Sequence, residues 1–521
     1  MAEVKAVPAR PWHRRKWPLL VGALVCAGAV TTTVLVAGTG DRTLPYDFNG
    51  DGKPDIVIGL PGNAVSGHIG AGSIVVANGT STGATGTKVR IDQATEGFPA
   101  SPEAGDGFGH AFASGDFDND GYADLAVSSP TEAIGTTQGA GLLSVHYGTS
   151  GGIHGTRTDA YNEDTTSYPG AVGWDEIFAY SLAAGDLNND GYDDLAVGQP
   201  LDHAGGAANA GSVKVMLGSA GGLSAAATHY IDQSTSRVPG TPEAEDRFGE
   251  QLAVGDVNGD GTGDLIVATM GEQIAGSSDR GAIHVLFGPF DSSPASSAYL
   301  DAGRVDGIGE FAGSALTVGR FNGDDYLDVA IGVSDEKVGD SGAAGRLAVL
   351  YADAQGLSAA RVSVFDQGTP GISGSPETED YFASSLAAGD FDGDGIDDIV
   401  AGMRSEKLGT ATGAGASMVL FGSAEDGVST SGAVWIDQDT AGVPGVVATD
   451  DHFGWTVGAL DTDGNGRTEA LIGAPGNAAG TVTVVKVRPG TMESATVLSE
   501  ESMGWAAGTN GDAFGIALPR P

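Results

Sequence analysis

The sequence predicts an all-β fold, a seven-bladed β-propeller of four-stranded blades, and three observations carry that prediction. A short acidic loop recurs seven times, its starts separated by 69, 70, 70, 64, 70 and 71 residues. β-Rich runs follow each copy in the same order. Glycine supplies 86 of 521 residues, and no long stretch has helical periodicity. A regular interval of this size means one supersecondary unit copied seven times, each needing its neighbours to bury its apolar face. Four strands per unit repeated around an axis make a propeller.

Each repeat opens on an aromatic-Gly segment such as FGHAFASGD at Phe108, followed by the acidic loop. A short apolar run comes next, for example LAV within Leu125 to Val127 or DLIVA from Asp264, and reads as a buried strand. A second run alternates or is β-rich, as in SVKVMLG and AIHVLFG. A further strand is marked by IDQ at Ile91, Ile231 and Ile436 and by FDQ at Phe365. The acidic loop therefore joins two strands, forming a hairpin.

The loops have the chemistry of calcium cages. In Asp116 to Asp124, side-chain oxygens fall at positions 1, 3, 5 and 9 (Asp116, Asp118, Asp120, Asp124), and Gly121 allows the sharp turn at position 6. Hard oxygen donors at alternating positions suit calcium, which takes six to eight of them. An EF-hand is excluded, since position 12 is Val127 and strands rather than helices flank the loop. The same pattern gives Asp47, Asn49, Asp51 and Asp55; Asp186, Asn188, Asp190 and Asp194; Asp256, Asn258, Asp260 and Asp264; and Asp390, Asp392, Asp394 and Asp398. Turn propensity alone accounts for one such loop but does not demand donors at all four positions in repeated copies. In the seventh copy Asp461, Asp463, Asn465 and Glu469 remain donors, and a weaker site is expected. The fifth copy is expected to be metal-free, because Arg320 replaces the first acid, Asp325 replaces the glycine, and a guanidinium is placed where the ion would sit.

A formal charge of −43 excludes nucleic acid as a partner. Residues 1–40 combine a basic start, RPWHRRKW, with a 20-residue mostly apolar stretch from Leu19 to Gly38, which reads as a signal peptide or signal anchor. Export of residues 41–521, secreted or held at the cell surface, follows as an expectation. The membrane is then met only through that segment if it stays uncleaved. Cys26 is the single cysteine and lies inside the apolar stretch, so calcium, not a disulfide, is expected to staple the exported domain. The first repeat has no room for its opening strand, while DAFGIAL at Asp512 to Leu518 copies DRFGEQL at Asp246 to Leu252. The C-terminal strand is therefore expected to complete the first blade and close the ring, with an abandoned eighth blade as the competing reading.

Phe248-Gly249, the loop at Asp256 and the tripeptide Gly473-Ala474-Pro475 resemble the FG-GAP repeat proteins, which include the propeller at the N-terminus of integrin α subunits. The resemblance spans residues 41–521. It implies a seven-bladed propeller with calcium loops on one face and ligand contacts on the other. An integrin heterodimer is not expected, since no interval is large enough for an inserted ligand-binding domain.

Catalytic signatures are weak. Two GxSxG strings, Gly79 to Gly83 and Gly148 to Gly152, sit in turns after strands instead of the strand-turn-helix of a nucleophile elbow. The nine histidines show no HExxH spacing. Binding is expected on the face opposite the acidic loops, in connections such as Pro61 to Gly72, Pro130 to Gly141 and Pro200 to Gly211. Trp174 lies near a blade junction; packing between blades is its expected use, and stacking on a sugar the other. The function expected is a non-enzymatic, calcium-stabilised adhesion or recognition module. It would act as a monomer toward an extracellular protein or glycan, with a hydrolase at the propeller mouth or a lectin as alternatives.

Overall fold

The computed structural model describes residues 32–33 and 43–520, except 85, 155–156, 274–280, 291–292, 302–303, 306–311, 478–479 and 506–513. It is a seven-bladed β-propeller. In blade 2 the strands run from the axis outward as Phe112–Gly115, Asp124–Ser129, Leu142–His146 and Thr158–Tyr161. Blade 3 follows with Ser181–Gly185, Asp194–Gln199, Ser212–Met216 and Thr228–Ile231, and blade 4 with Phe248–Gly255, Asp264–Thr269, Ala282–Phe287 and Ser296–Asp301. Blade 5 is Ala315–Gly319, Asp328–Val333, Arg346–Asp353 and Gly356–Phe365. Blade 6 is Phe382–Gly389, Asp398–Met403, Ala416–Phe421 and Ser429–Ile436, and blade 7 is Thr456–Leu460, Glu469–Ala474, Thr481–Arg488 and Thr491–Leu498. Within these sheets, neighbouring strands of a blade pair antiparallel.

Blade 1 shows how the ring closes. Its own strands are Ile56–Leu60, Ser73–Ala77 and Lys88–Ile91, and the place nearest the axis is taken by the C-terminal residues. Gly59 N–H donates to Ala517 C=O at 3.0 Å, and Phe514, Ala517 and Leu518 are fully buried. The clasp is thus present and the eighth-blade reading falls; Asp512 and Ala513 lie outside the described residues. Of the segment 1–40 only Thr32 and Thr33 are described, pairing in parallel with Ala253 and Val254 of the inner strand of blade 4. Among the described residues no helix is long and apolar enough to cross a membrane.

The core lies between blades. Second strands such as Asp124–Ser129 are buried at every position because a blade packs on both faces, and this is why they read as continuous apolar runs. The opening aromatic of five repeats (Phe108, Phe178, Phe248, Phe382, Phe453) is fully buried. It is seated against a glycine of the preceding blade: a Cβ on Gly72, Gly141, Gly211, Gly345 or Gly415 would fall 2.1 to 2.3 Å from that phenylalanine's carbonyl oxygen. Only glycine permits this approach. Gly480 and Phe514 form the same joint, so the clasp docks as an ordinary blade start does.

Candidate metal centre

The acidic loops connect inner to second strands at one end of the ring. In blade 2 the Asp116 carboxylate accepts the N–H groups of Asp120 and Gly121, both at 3.0 Å, and Asp120 accepts that of Tyr122 at 3.0 Å. Asp124 opens the second strand and accepts from Phe117 N–H at 2.9 Å and Gly148 N–H at 2.8 Å. The loop's own amides thus fix the carboxylates before any ligand arrives. Gly121 takes φ 92°, as the turn requires. The other regular copies repeat the arrangement: Asp47, Asp186, Asp256 and Asp390 each accept from the position-6 glycine at 2.8 to 3.0 Å. Asp55, Asp194, Asp264 and Asp398 each accept a glycine N–H from the end of the third strand at 2.8 to 3.0 Å.

Carboxylate oxygens converge in three loops. Asp116, Asp118 and Asp124 bring ligand atoms within 4.8 Å of one another, as do Asp390, Asp392 and Asp398, and Asp461, Asp463 and Glu469. In the first, third and fourth loops Asn49, Asn188 and Asn258 hold position 3; each amide oxygen caps the position-5 N–H at 2.8 to 2.9 Å. Asp120 and Asp394 lie outside the three-carboxylate groups and bond the position-7 N–H instead.

Burial pushes Asp124, Asp194, Asp264 and Asp398 up to about 8 and Asp55 up to about 7, with neighbouring loop carboxylates adding to the shift. Asp55 Oδ2 and Asp118 Oδ1 are buried with no hydrogen-bond partner. Oxygen-only donors, orphaned buried carboxylate atoms and mutual repulsion are what a hard cation relieves, so these residues fit a divalent metal ion.

Among the described residues three loops pair a carboxylate with an internal cation, the first through Lys53, whose Nζ lies 3.7 Å from Asp51. The fifth departs from expectation: Arg320 N–H donates to Asp397 and its guanidinium bears on Asp397, while Arg361, from the outer strand of blade 5, pairs with Asp324 at 3.9 Å and bears on Asp328. A position-1 side chain points toward the neighbouring blade here, whereas an outer-strand arginine overhangs the loop. In the seventh loop Lys486 Nζ sits 2.5 Å from Asp463 and 3.1 Å from Glu469.

The loops are linked to one another. The position-8 N–H of each donates to the position-1 carbonyl of the preceding loop, from Ala123 to Asp47 at 3.2 Å through Thr468 to Asp390 at 2.9 Å. The remaining joint places Pro54, which has no N–H, at position 8. There Lys53 packs on Gly464, whose added Cβ would lie 2.8 Å from Lys53 Cγ.

Sequence reasoning missed a second acidic set, at the blade junctions on the opposite face. Gln93, Gln233 and Gln367 donate to Glu132, Glu272 and Glu406 at 2.5, 2.5 and 2.7 Å. Asp106, Asp246 and Asp380 bear on the same three glutamates. Burial, then the neighbouring acid, raises Glu132 to about 8 and Glu406 to about 7. The available signal was the recurrence of the glutamine in IDQ or FDQ followed 39 residues later by Glu. Trp174, expected between blades, is instead 64% exposed.

An FG-GAP repeat model matches residues 108–146, 178–216, 248–286, 382–436 and 453–485, five of the seven blades. Integrin alpha-PS5 of Drosophila melanogaster is 32% identical over 173 residues, 33% of this chain and 16% of that protein. Phosphatidylinositol-glycan-specific phospholipase D of Rattus norvegicus is 28% identical over 180 residues, 34% of this chain and 20% of that protein. The chain thus spans a fifth or less of the length of these two relatives. Among solved structures, the periplasmic gluconolactonase PpgL of Pseudomonas aeruginosa aligns over 85% of this chain and 96% of that one, with TM-score 0.43 and 12% identity. The five repeat matches and the blade architecture make the chain similar to the FG-GAP repeat propellers of integrin alpha proteins.

Proposed function

We propose that this chain is an exported, non-enzymatic recognition propeller, stabilised by calcium in its acidic loops and binding an extracellular protein or glycan through the opposite face. The observation that carries the reading is the loop belt: one oxygen-donor geometry, repeated in neighbouring blades, with buried carboxylate oxygens that have no protein partner. Such a belt stiffens one face and leaves the connections of the other free to differ in sequence. Calcium is the ion favoured, because every donor is a hard oxygen and the loops supply several each. The similarity to integrin alpha chains supports recognition as the role. Melting curves with millimolar calcium and with chelator test the scaffold, and a binding screen with the calcium-loaded chain tests recognition. Superimposable melting curves would remove calcium from the proposal.

A further inference from the structure

Because the protein is an internal array, each junction can be compared with its siblings, and the one between blades 2 and 3 is the outlier. Two residues before the buried phenylalanine the siblings carry Asp106, Asp246, Asp380 and Asp451. Each caps a local turn by accepting the N–H of Glu103, Glu243, Glu377 or Ala448 at 2.5 to 2.8 Å. Here the acid is Glu176, one methylene longer, and its carboxyl folds onto Gly173, where a Cβ would lie 2.0 Å from Glu176 Cδ. The glycine and the longer acid are a matched pair. Between them stands Trp174, 64% exposed, where the siblings have Ala104, Ala244, Thr378 and Thr449.

The surroundings differ as well. Glu176 is 9% exposed, its Oε1 lies 3.4 Å from His203 Nδ1, and its Oε2 is buried without a hydrogen-bond partner. His203 is itself 58% exposed. Beneath them Lys214, fully buried, lies 3.3 Å from Glu163 and 3.4 Å from Asp202, and Tyr230 donates to Asp202 at 2.9 Å. A buried lysine therefore joins the acids of this junction, where three siblings offer them a glutamine. Burial and the nearby Asp202 and Glu163 raise Glu176 to about 7, so near neutral pH its carboxyl serves as donor or acceptor.

We propose that this junction is a binding site for a neutral pyranose of a glycan, with Trp174 as the stacking platform and Glu176 and His203 as hydrogen-bonding partners for its hydroxyls. An exposed indole beside polar groups with unused hydrogen-bonding capacity matches a sugar ring, which offers an apolar C–H face and a polar edge. An anionic sugar is disfavoured by exposed Asp175 and a chain charge of −43. The acids below are already engaged within the fold, since Lys214 pairs with both Glu163 and Asp202. The inference rests on the recognition reading and gives it a location and a ligand class.

The test is a printed array of neutral gluco-, galacto- and manno-configured oligosaccharides, with amino-sugar and uronate polymers alongside, probed with the full calcium-loaded chain and with Trp174→Ala, Trp174→Phe and Glu176→Gln. The expected result is retention of neutral glycans, an affinity loss of about tenfold or more in Trp174→Ala, and a smaller loss in Trp174→Phe. Glu176→Gln should weaken binding severalfold at an unchanged melting temperature. No neutral glycan retained, or preference for the charged polymers, would overturn the site while leaving calcium-dependent melting to judge the scaffold. Equal binding by wild type and Trp174→Ala would also overturn it, yet leave recognition standing.

Discussion

The two faces of this ring solve the same electrostatic problem differently. On the loop face, carboxylates converge with their own backbone amides as the main internal partners, and oxygens of Asp55 and Asp118 are left buried and unpaired. At the junctions on the opposite face, buried acids meet a glutamine, or in one place a lysine. Burial raises proton affinity on both faces, but the first gathers oxygen donors that fit an external cation, whereas the second supplies glutamine or Lys214 partners from within the fold. Acidity in this chain is therefore not one property. The loop carboxylates converge on one another, whereas the junction acids meet a side chain from a neighbouring strand or blade.

The comparison breaks most visibly on removal of metal. With dissociation constants typical of extracellular modules, millimolar calcium at six independent sites contributes roughly 2 to 8 kcal/mol, comparable with the whole stability of an ordinary domain. Chelation should lower the melting temperature strongly in calorimetry. The next largest effect is expected from deleting residues 512 onward. Loss of the Ala517 pairing exposes the edge of the strand Ile56–Leu60, and light scattering should show aggregation. A truncated chain that stays monomeric with unchanged melting would contradict the closure mechanism.

Single-loop changes sharpen the contrast. Asp116→Ala, Asp186→Ala or Asp390→Ala should each remove part of the calcium-dependent rise in melting temperature. Asp324→Ala should leave that rise intact, because Arg361 already overlies the fifth loop. A diffraction map showing calcium bonded to Asp324 and Asp328 would refute this assignment.

The junctions predict an opposite response to pH. Asp106 and Asp380 are raised to about 6, Asp246 and Glu406 to about 7, and Glu132 to about 8, burial being the main cause in each. A carboxyl whose folded value is raised gives stability that is full below its unfolded value, near 4, and is lost as pH climbs through the folded value. With calcium saturating, the melting temperature should therefore fall by a few degrees between about pH 4 and 8. Glu132→Gln with Glu406→Gln should flatten that slope. The Lys214 junction runs the other way at Asp202: burial pushes it up, but Lys214 and the Ser212 and Tyr230 hydrogen bonds outweigh that and hold it below the usual range, so its contribution is lost on acidification. The smallest effect is at the seventh loop, where Lys486→Ala should increase calcium affinity by removing an ammonium from Asp463 and Glu469, as titration calorimetry would register.

Much of the architecture was legible because it is local and repeated. Hairpin loops, buried second strands and the aromatic-Gly joint each sit within one repeat, and seven copies expose their pattern. The clasp was legible for the same reason, since Phe514 to Leu518 copies a blade start. Arg361 over the fifth loop, Lys486 over the seventh and the Gln–Glu pairs were not, because each joins side chains from different strands or blades.

The sequence by itself determined the number of blades, their strand order, the placement of the acidic loops and the way the chain closes on itself, because periodic burial and turn chemistry act over a few neighbouring residues. Tertiary structure alone decided which cation overlies which loop, which acids share a junction, that Trp174 faces solvent, and that Glu176 meets His203. Those outcomes depend on how adjacent blades seat against one another, bringing together residues such as Glu163 and Lys214 that no local pattern relates.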